Sequence, residues 1–274
     1  MTVAEAQRDM RVGLMGGFMG QVVSSVMRDV VKSLADHRVF TFCGFTDHRF
    51  AYEDAVAKVL HLRLSGTITD IRPTSIRRTY ETHAGITLET REVRDLKQAF
   101  NFLAKAFSDT QSPALKKYSI ISLTYLAVEM LETYDLSKHG QEFADVFLAF
   151  EAERVMNEER SEEQQDAALA AYTDAARSDS IPDMRYRDEY LRERFVRSIP
   201  TLVLKDPNRS FTAEQRMAIY YKNCGLCQAP GCGVKCDEAD FHADHIIPHS
   251  RGGKTAVVNG QVLCPSCNLT KGDR

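Results

Sequence analysis

Six of the seven cysteines lie between Cys224 and Cys267, and only Cys43 stands apart. Cys224 and Cys227 form one Cys-x-x-Cys pair and Cys264 and Cys267 a second, bracketing a stretch that holds Asp244, His245 and Asn259. Four soft thiolates at this spacing suit a closed tetrahedral zinc site, which stabilises a module too small for a core of its own. Cys232 and Cys236 leave an alternative open: one of them replaces a knuckle ligand, or the two are free thiols in an exposed loop. The enclosed groups are harder. Asp244 and Asn268 offer two oxygens to a divalent cation such as Mg2+ or Mn2+, leaving positions for water and phosphate. A neutral His245 beside that ion can take a proton from the water.

The elements around these residues must bring them together. Phe241 to Pro248 reads as a short strand. Neighbouring strand residues point to opposite faces, so a joint site for Asp244 and His245 calls for a bend or bulge. Gly252-Gly253 lets the following loop fold back over a ligand. Asn268, directly after Cys267, falls where a zinc-anchored helix should begin. Upstream, Thr212-Ala-Glu-Gln215 has the form of a capping box opening a helix over Ala213 to Lys222. The turn-rich Lys205–Ser210 places a boundary between residues 1–205 and a small domain over 206–274.

Residues 1–205 read almost entirely as helix. Apolar residues recur at helical spacing from Val22 and Val23 to Leu34, from Phe50 to Leu62, and from Leu96 to Phe107, the last closed by Asp109 to Pro113. Pro73 starts a short helix that ends before Gly85. The apolar Tyr118–Leu131 stretch is too short for the roughly 20 residues of a membrane span, carries Glu129, and reads as a buried core helix. Phe143 to Val155 and Arg185 to Ser198 follow. Between them, the charged run from Glu158 and the alanine-rich stretch to Ser180 read as a solvated helix linking two packed parts. His37, His48, His61, His83 and His139 are scattered, and each reads as packing or surface.

Composition sets limits. The chain has 274 residues, 43% hydrophobic and 27% charged, with a net charge of -3. Residues 209–274 carry eight Lys and Arg against six Asp and Glu, while 1–208 carry 27 against 32. Neither part is a basic polyanion-binding block, so any nucleic-acid contact must come from a local patch. Clustered cysteines without a secretion signal favour metal over disulfide in a reducing, cytoplasmic setting.

Asp244-His-Ile-x-Pro248-x-Ser-x-Gly-Gly, a central Asn259, and Leu263-Cys-x-x-Cys-Asn268-x-x-Lys271 resemble the HNH endonuclease family in its zinc-knuckle, McrA-like branch. The likeness runs from about Arg209 to Lys271. It implies a ββα-metal module with His245 as general base and Asp244 and Asn268 as ligands of a catalytic Mg2+ or Mn2+. Asn259 would fix the loop and orient the histidine, and zinc would be structural. The implied reaction is hydrolysis of a DNA phosphodiester to a 5′-phosphate and a 3′-hydroxyl. Arg251, Lys254 and Lys271 are candidates for flanking phosphates, whereas His242 and His249 have no required role. Asn replaces the His found in many relatives at the third motif position, which bears on metal preference. The competing reading is a zinc-stabilised nucleic-acid-binding module without catalysis.

A second resemblance concerns Thr2-Val-Ala-Glu-Ala-Gln-Arg, Leu34-Ala-Asp-His-Arg-Val-Phe, Asp47-His-Arg-Phe and Arg209-Ser-Phe-Thr-Ala-Glu-Gln-Arg. These are similar to the helical portion of ParB-like, GmrSD-type defence proteins. The nucleotide-hydrolysing motif of those proteins is not found here. That resemblance implies a fragment, or a separate ParB-like chain as partner. The first resemblance implies that one HNH module cuts one strand, so a double-strand break would call for a homodimer or two passes. The expected architecture is mainly α: a helical N-terminal domain and a treble-clef-like ββα module.

Overall fold

The computed structural model describes residues 25–108 and 112–272. The stretch from Thr2 to Arg8, together with Val22, Val23 and Asp109, lies outside the described residues. Two compact units emerge: Met1–Glu129 with Gly140–Pro200, and Met130–His139 with Thr201–Arg274.

The first unit is helical: α1 (Ser25–Ala35), α2 (Ala51–Ser65), α3 (Pro73–Thr82), α4 (Arg91–Ala106), the first part of α5 (Lys117–Thr133), α6 (Gly140–Glu158), α7 (Ala167–Ala175) and α8 (Ile181–Ser198). Pro73 is the first residue of α3, where its missing N–H costs nothing. Helix α5 buries Ile120, Ile121, Leu123, Leu126 and Val128, all-round burial that suits a core helix. Phe143 and Phe195 stack with centroids 4.0 Å apart between α6 and α8. Among the buried polar groups, Arg154 bonds Glu151 through Nε and Nη2 at 3.2 and 3.0 Å. The His61 ring contacts Thr79 Oγ1 and the Asp70 carbonyl.

The Glu158–Ser180 stretch differs from expectation. It is not one solvated linking helix. An exposed 3-10 turn at Glu162–Gln164 precedes α7, whose Leu169, Tyr172 and Ala175 are buried. Asp166 caps α7 by accepting from the amides of Ala168 and Leu169. Alanine's small volume lets this short helix pack closely while the charged run stays in solvent.

In the second unit β1 (Tyr134–Asp135) pairs antiparallel with β2 (Val203–Leu204). Helix α9 (Ala213–Lys222) follows, opened by the Thr212/Gln215 capping box. Then come β3 (His242–His245), β4 (Gly260–Leu263) and the short α10 (Pro265–Lys271). Strands β3 and β4 pair antiparallel, with His242 opposite Leu263 and His245 opposite Gly260. Ile219, Tyr220, Cys227, Cys236, Phe241, Val262 and Leu263 form the buried core of this unit. Gly260 is required for its packing: a Cβ there would come within 2.1 Å of Ile219 Cδ1. Among the described residues no helix is long and apolar enough to cross a membrane.

Candidate active site and metal centre

The cysteine cluster comprises Cys227, Cys232, Cys264 and Cys267, whose sulfurs lie within 4.8 Å of one another. A Zn–S bond of about 2.3 Å sets the sulfurs of a tetrahedral site ~3.8 Å apart, which this grouping accommodates. The Cys264 amide donates to Cys227 Sγ at 3.3 Å, tying the two knuckles together. The Ser266 hydroxyl lies 3.2 Å from Cys264 Sγ and holds that thiol well below its ordinary value, at about 6.

Cys224, expected as a ligand, is not in the cluster. Cys224 and Gly225 both adopt left-handed backbone, with φ of 52° and 63°. Their amides bond back to the carbonyls of Tyr221 and Tyr220, closing the end of α9. Cys224 is thus consumed in a helix-terminating turn, with its thiol exposed. Cys232 takes its place because the Ala229–Cys232 turn folds the chain back, the Cys232 amide donating to the Ala229 carbonyl. Within the cluster the first two cysteines, Cys227 and Cys232, are therefore spaced Cys-x4-Cys. Cys236 is buried beside the cluster without being one of the four.

The β3–β4 ladder is in regular register through Asp244 and His245, without the expected bulge. The two side chains accordingly leave opposite faces of the strand. Asp244 Oδ2 accepts from Gln261 Nε2 at 3.0 Å and pairs with the Lys271 ammonium from α10. Lys271 also donates to the His245 carbonyl at 2.5 Å. Lys271, expected at a phosphate, is thus turned inward. Asn268 lies one turn before it on α10 and is half-buried.

The His245 ring stacks on Phe211, with centroids 4.4 Å apart and planes at 28°. Its Nε2 lies 3.0 Å from Thr255 Oγ1. Burial pushes the imidazole below its ordinary value and His249 adds to that, while Asp244 and Asp206 pull it back up. The ring therefore favours the neutral form that accepts a proton.

Asn259 staples the loop between the strands. Its Oδ1 accepts from the Ile247 amide at 2.9 Å, and its Nδ2 donates to the carbonyls of Ile247 and Lys254 at 3.1 and 2.9 Å. Gly253 lies under this staple, where a Cβ would come within 1.8 Å of the Ile247 carbonyl oxygen. Arg251 and Lys254 are exposed on the same loop, Lys254 Nζ reaching the Leu204 carbonyl at 3.3 Å. His249 Nε2 lies 2.6 Å from the Asp206 carbonyl oxygen.

Residues 224–274 match the family model described as HNH endonuclease. The chain carries an HNH endonuclease domain. The match takes in the cysteine cluster, Asp244, His245, Asn259 and Asn268, and begins after the Asp206–Phe211 segment that contacts the histidines. No curated protein matches the chain. No solved structure matches it either.

Sequence reasoning missed Asp206, Asn208, Phe211 and Thr255 at the site. Asp206 and Asn208 lie in the turn-rich boundary segment, Phe211 lies just beyond it, and neither a lone phenylalanine nor a lone threonine carries a signal. Cys232 did have one, in the turn-forming Pro230-Gly231 before it.

Proposed function

We propose that the protein is a metal-dependent HNH endonuclease that hydrolyses DNA phosphodiester bonds, in the McrA-like branch and with a role in restriction or antiphage defence. The observation that carries the proposal is His245: a half-buried imidazole tied at one ring nitrogen, inside the segment that matches the family. In this reading His245 takes the proton of the attacking water. Asp244 and Asn268 would hold Mg2+ or Mn2+. The fit rests on Asp244, whose half-buried carboxylate already attracts a cationic group, the Lys271 ammonium. A divalent ion bound there supplies stabilisation of the negative charge that develops on the phosphoryl and leaving oxygens. Lys271 must then leave the carboxylate, which frees its charge for a backbone phosphate. Arg251 and Lys254 hold flanking phosphates from the exposed loop, and Asn259 keeps that loop closed on the histidine.

Zinc at Cys227, Cys232, Cys264 and Cys267 is structural in this reading. Residues 1–205 serve specificity, regulation or partner binding, with the GmrSD-type helical region as the analogy, and the enzyme works in the cytoplasm. Cleavage of both strands would take two copies.

A second reading has its own support. Asp244 is engaged by Lys271 and leaves the strand on the face opposite His245, as in a zinc-stabilised nucleic-acid-binding module without catalysis. Plasmid nicking with Mg2+ or Mn2+, with EDTA, and by His245→Ala separates the two. The nuclease reading expects cleavage that EDTA abolishes and that the alanine variant lacks although it keeps the parent's zinc content. DNA binding without nicking under any metal supports the second reading. Undiminished cleavage by His245→Ala removes the assignment of the base.

A further inference from the structure

Thr255 is buried within the second unit, and its amide, carbonyl and hydroxyl are all hydrogen-bonded, the carbonyl accepting from Gln215 Nε2 at 3.0 Å. Its amide donates to Asp206 Oδ2 at 2.9 Å. Its hydroxyl donates to the Asn208 carbonyl oxygen, and His245 Nε2 lies 3.0 Å from the hydroxyl oxygen itself, Thr255 Oγ1. A hydroxyl has one hydrogen, and a carbonyl can only accept. With that hydrogen directed at Asn208, Thr255 Oγ1 is left with lone pairs for the histidine. The Nε2 atom must then carry the proton, and in the neutral ring Nδ1 carries the lone pair.

The parts that impose this arrangement lie ahead of the matched segment. Asp206 Oδ1 accepts from the Asn208 amide at 3.0 Å, so the Asp206–Asn208 turn is held by its own carboxylate. The same two amides, of Asn208 and Thr255, keep the Asp206 carboxyl below its ordinary value. Phe211 then covers one face of the imidazole. The ring is thus met on one face by Phe211, at Nε2 by Thr255, and edge-on by the His249 ring with centroids 5.9 Å apart.

We infer that Thr255 is a positioning residue: anchored by Asp206 and Asn208, it holds His245 as the Nε2–H tautomer and leaves Nδ1 as the nitrogen that receives a proton. The inference rests on His245 being the base only for its kinetic consequence. The tautomer itself is a property of the folded chain.

The test uses the full chain with 15N-labelled histidine rings. Long-range 1H–15N correlation spectra above the titration range, with His245 assigned by its loss in His245→Gln, report which nitrogen is protonated. The expected result is a protonated-type Nε2 and an unprotonated-type Nδ1 in the parent protein and in Thr255→Ser. Thr255→Val retains the branched shape but not the hydroxyl, and should show a mixture of tautomers. Its kcat in plasmid nicking should fall on the order of ten- to a hundredfold with KM within about twofold, as for loss of an outer-shell partner. Thr255→Ser should recover most of that loss. A protonated Nδ1 in the parent, or an unchanged tautomer or kcat in a folded Thr255→Val, overturns the inference. If Thr255→Val does not fold, the parent and serine spectra still decide the tautomer. Failure of the nuclease reading would appear separately, as absent nicking alongside the expected spectrum.

Discussion

Replacing Cys232 and Cys224 one at a time tests the zinc site most directly, because the two thiols stand in opposite environments. Cys232 Sγ is one of four sulfurs grouped within 4.8 Å, whereas Cys224 is exposed in the turn that ends α9. A structural zinc contributes about 10–16 kcal/mol of apparent binding free energy, so one of four thiolates accounts for roughly 2.5–4 kcal/mol. At 1.4 kcal/mol per tenfold, Cys232→Ser should weaken zinc binding by on the order of a hundred- to a thousandfold. Cys224→Ser should leave it unchanged. The assay is zinc stoichiometry against a graded chelator, read with thermal unfolding. The small core of this unit includes Cys227 itself, so loss of metal should unfold it and lower the transition of Cys232→Ser and of chelated parent alike. A Cys224→Ser protein that loses its zinc while Cys232→Ser retains one per chain would refute the assignment of the first knuckle.

Three further outcomes are expected. Gly253→Ala should abolish nicking while zinc content is retained, because its Cβ would come within 1.8 Å of the Ile247 carbonyl oxygen and 2.9 Å of Asn259 Nδ2; an active, fully folded Gly253→Ala shows that the staple is dispensable. Burial lowers the His61 imidazole below its unfolded value of 6.5, so the folded state binds fewer protons than the unfolded one as pH falls below that value. The stabilising contribution of neutral His61 is therefore complete above pH 6.5 and lost as pH falls through the folded value; urea titrations should show a decline in the parent that is reduced in His61→Gln. Arg154→Met should destabilise the helical unit by about 3–5 kcal/mol, because it leaves the buried Glu151 carboxylate without its partner; a change below about 1 kcal/mol would mean that the pair is no more than a surface-type ion pair.

Much of this architecture is legible in the sequence, for reasons that differ by element. Helix α9 follows from the Thr212/Gln215 pair, because a capping box is local chemistry that no distant contact needs to complete. Helix α5 follows from an apolar run too long for a strand and too short for a membrane. The Cys264/Cys267 knuckle is legible because its spacing is itself the geometry. The first pair is legible only as an open alternative: Cys224-x-x-Cys227 has the right spacing, yet Cys232 is the cysteine grouped with Cys227. The end of α9, with two consecutive left-handed residues, aims Cys224 outward. Likewise, alternation along β3 predicts that Asp244 and His245 part company. The expected bulge is an inference from function rather than from the residues, and the ladder is regular.

The surroundings of His245 illustrate why a motif and a site are different objects. The motif is contiguous because the zinc knuckles, hairpin and short helix must be connected in that order. The imidazole needs partners on more than one side, and a hairpin only four residues long per strand cannot supply them all. The remaining partners come from the chain just before α9, where Asp206 turns back on Asn208 and Phe211 lies against the ring. Strand β2 ends two residues before Asp206 and is paired with β1, so the turn has a fixed point of departure. A segment that reads as a linker from its composition is thereby bonded at both ends and carries carbonyls to Thr255 and His249. Residues chosen for turn formation suit this task, since Asp, Pro and Asn expose backbone oxygens at set directions with little flexibility.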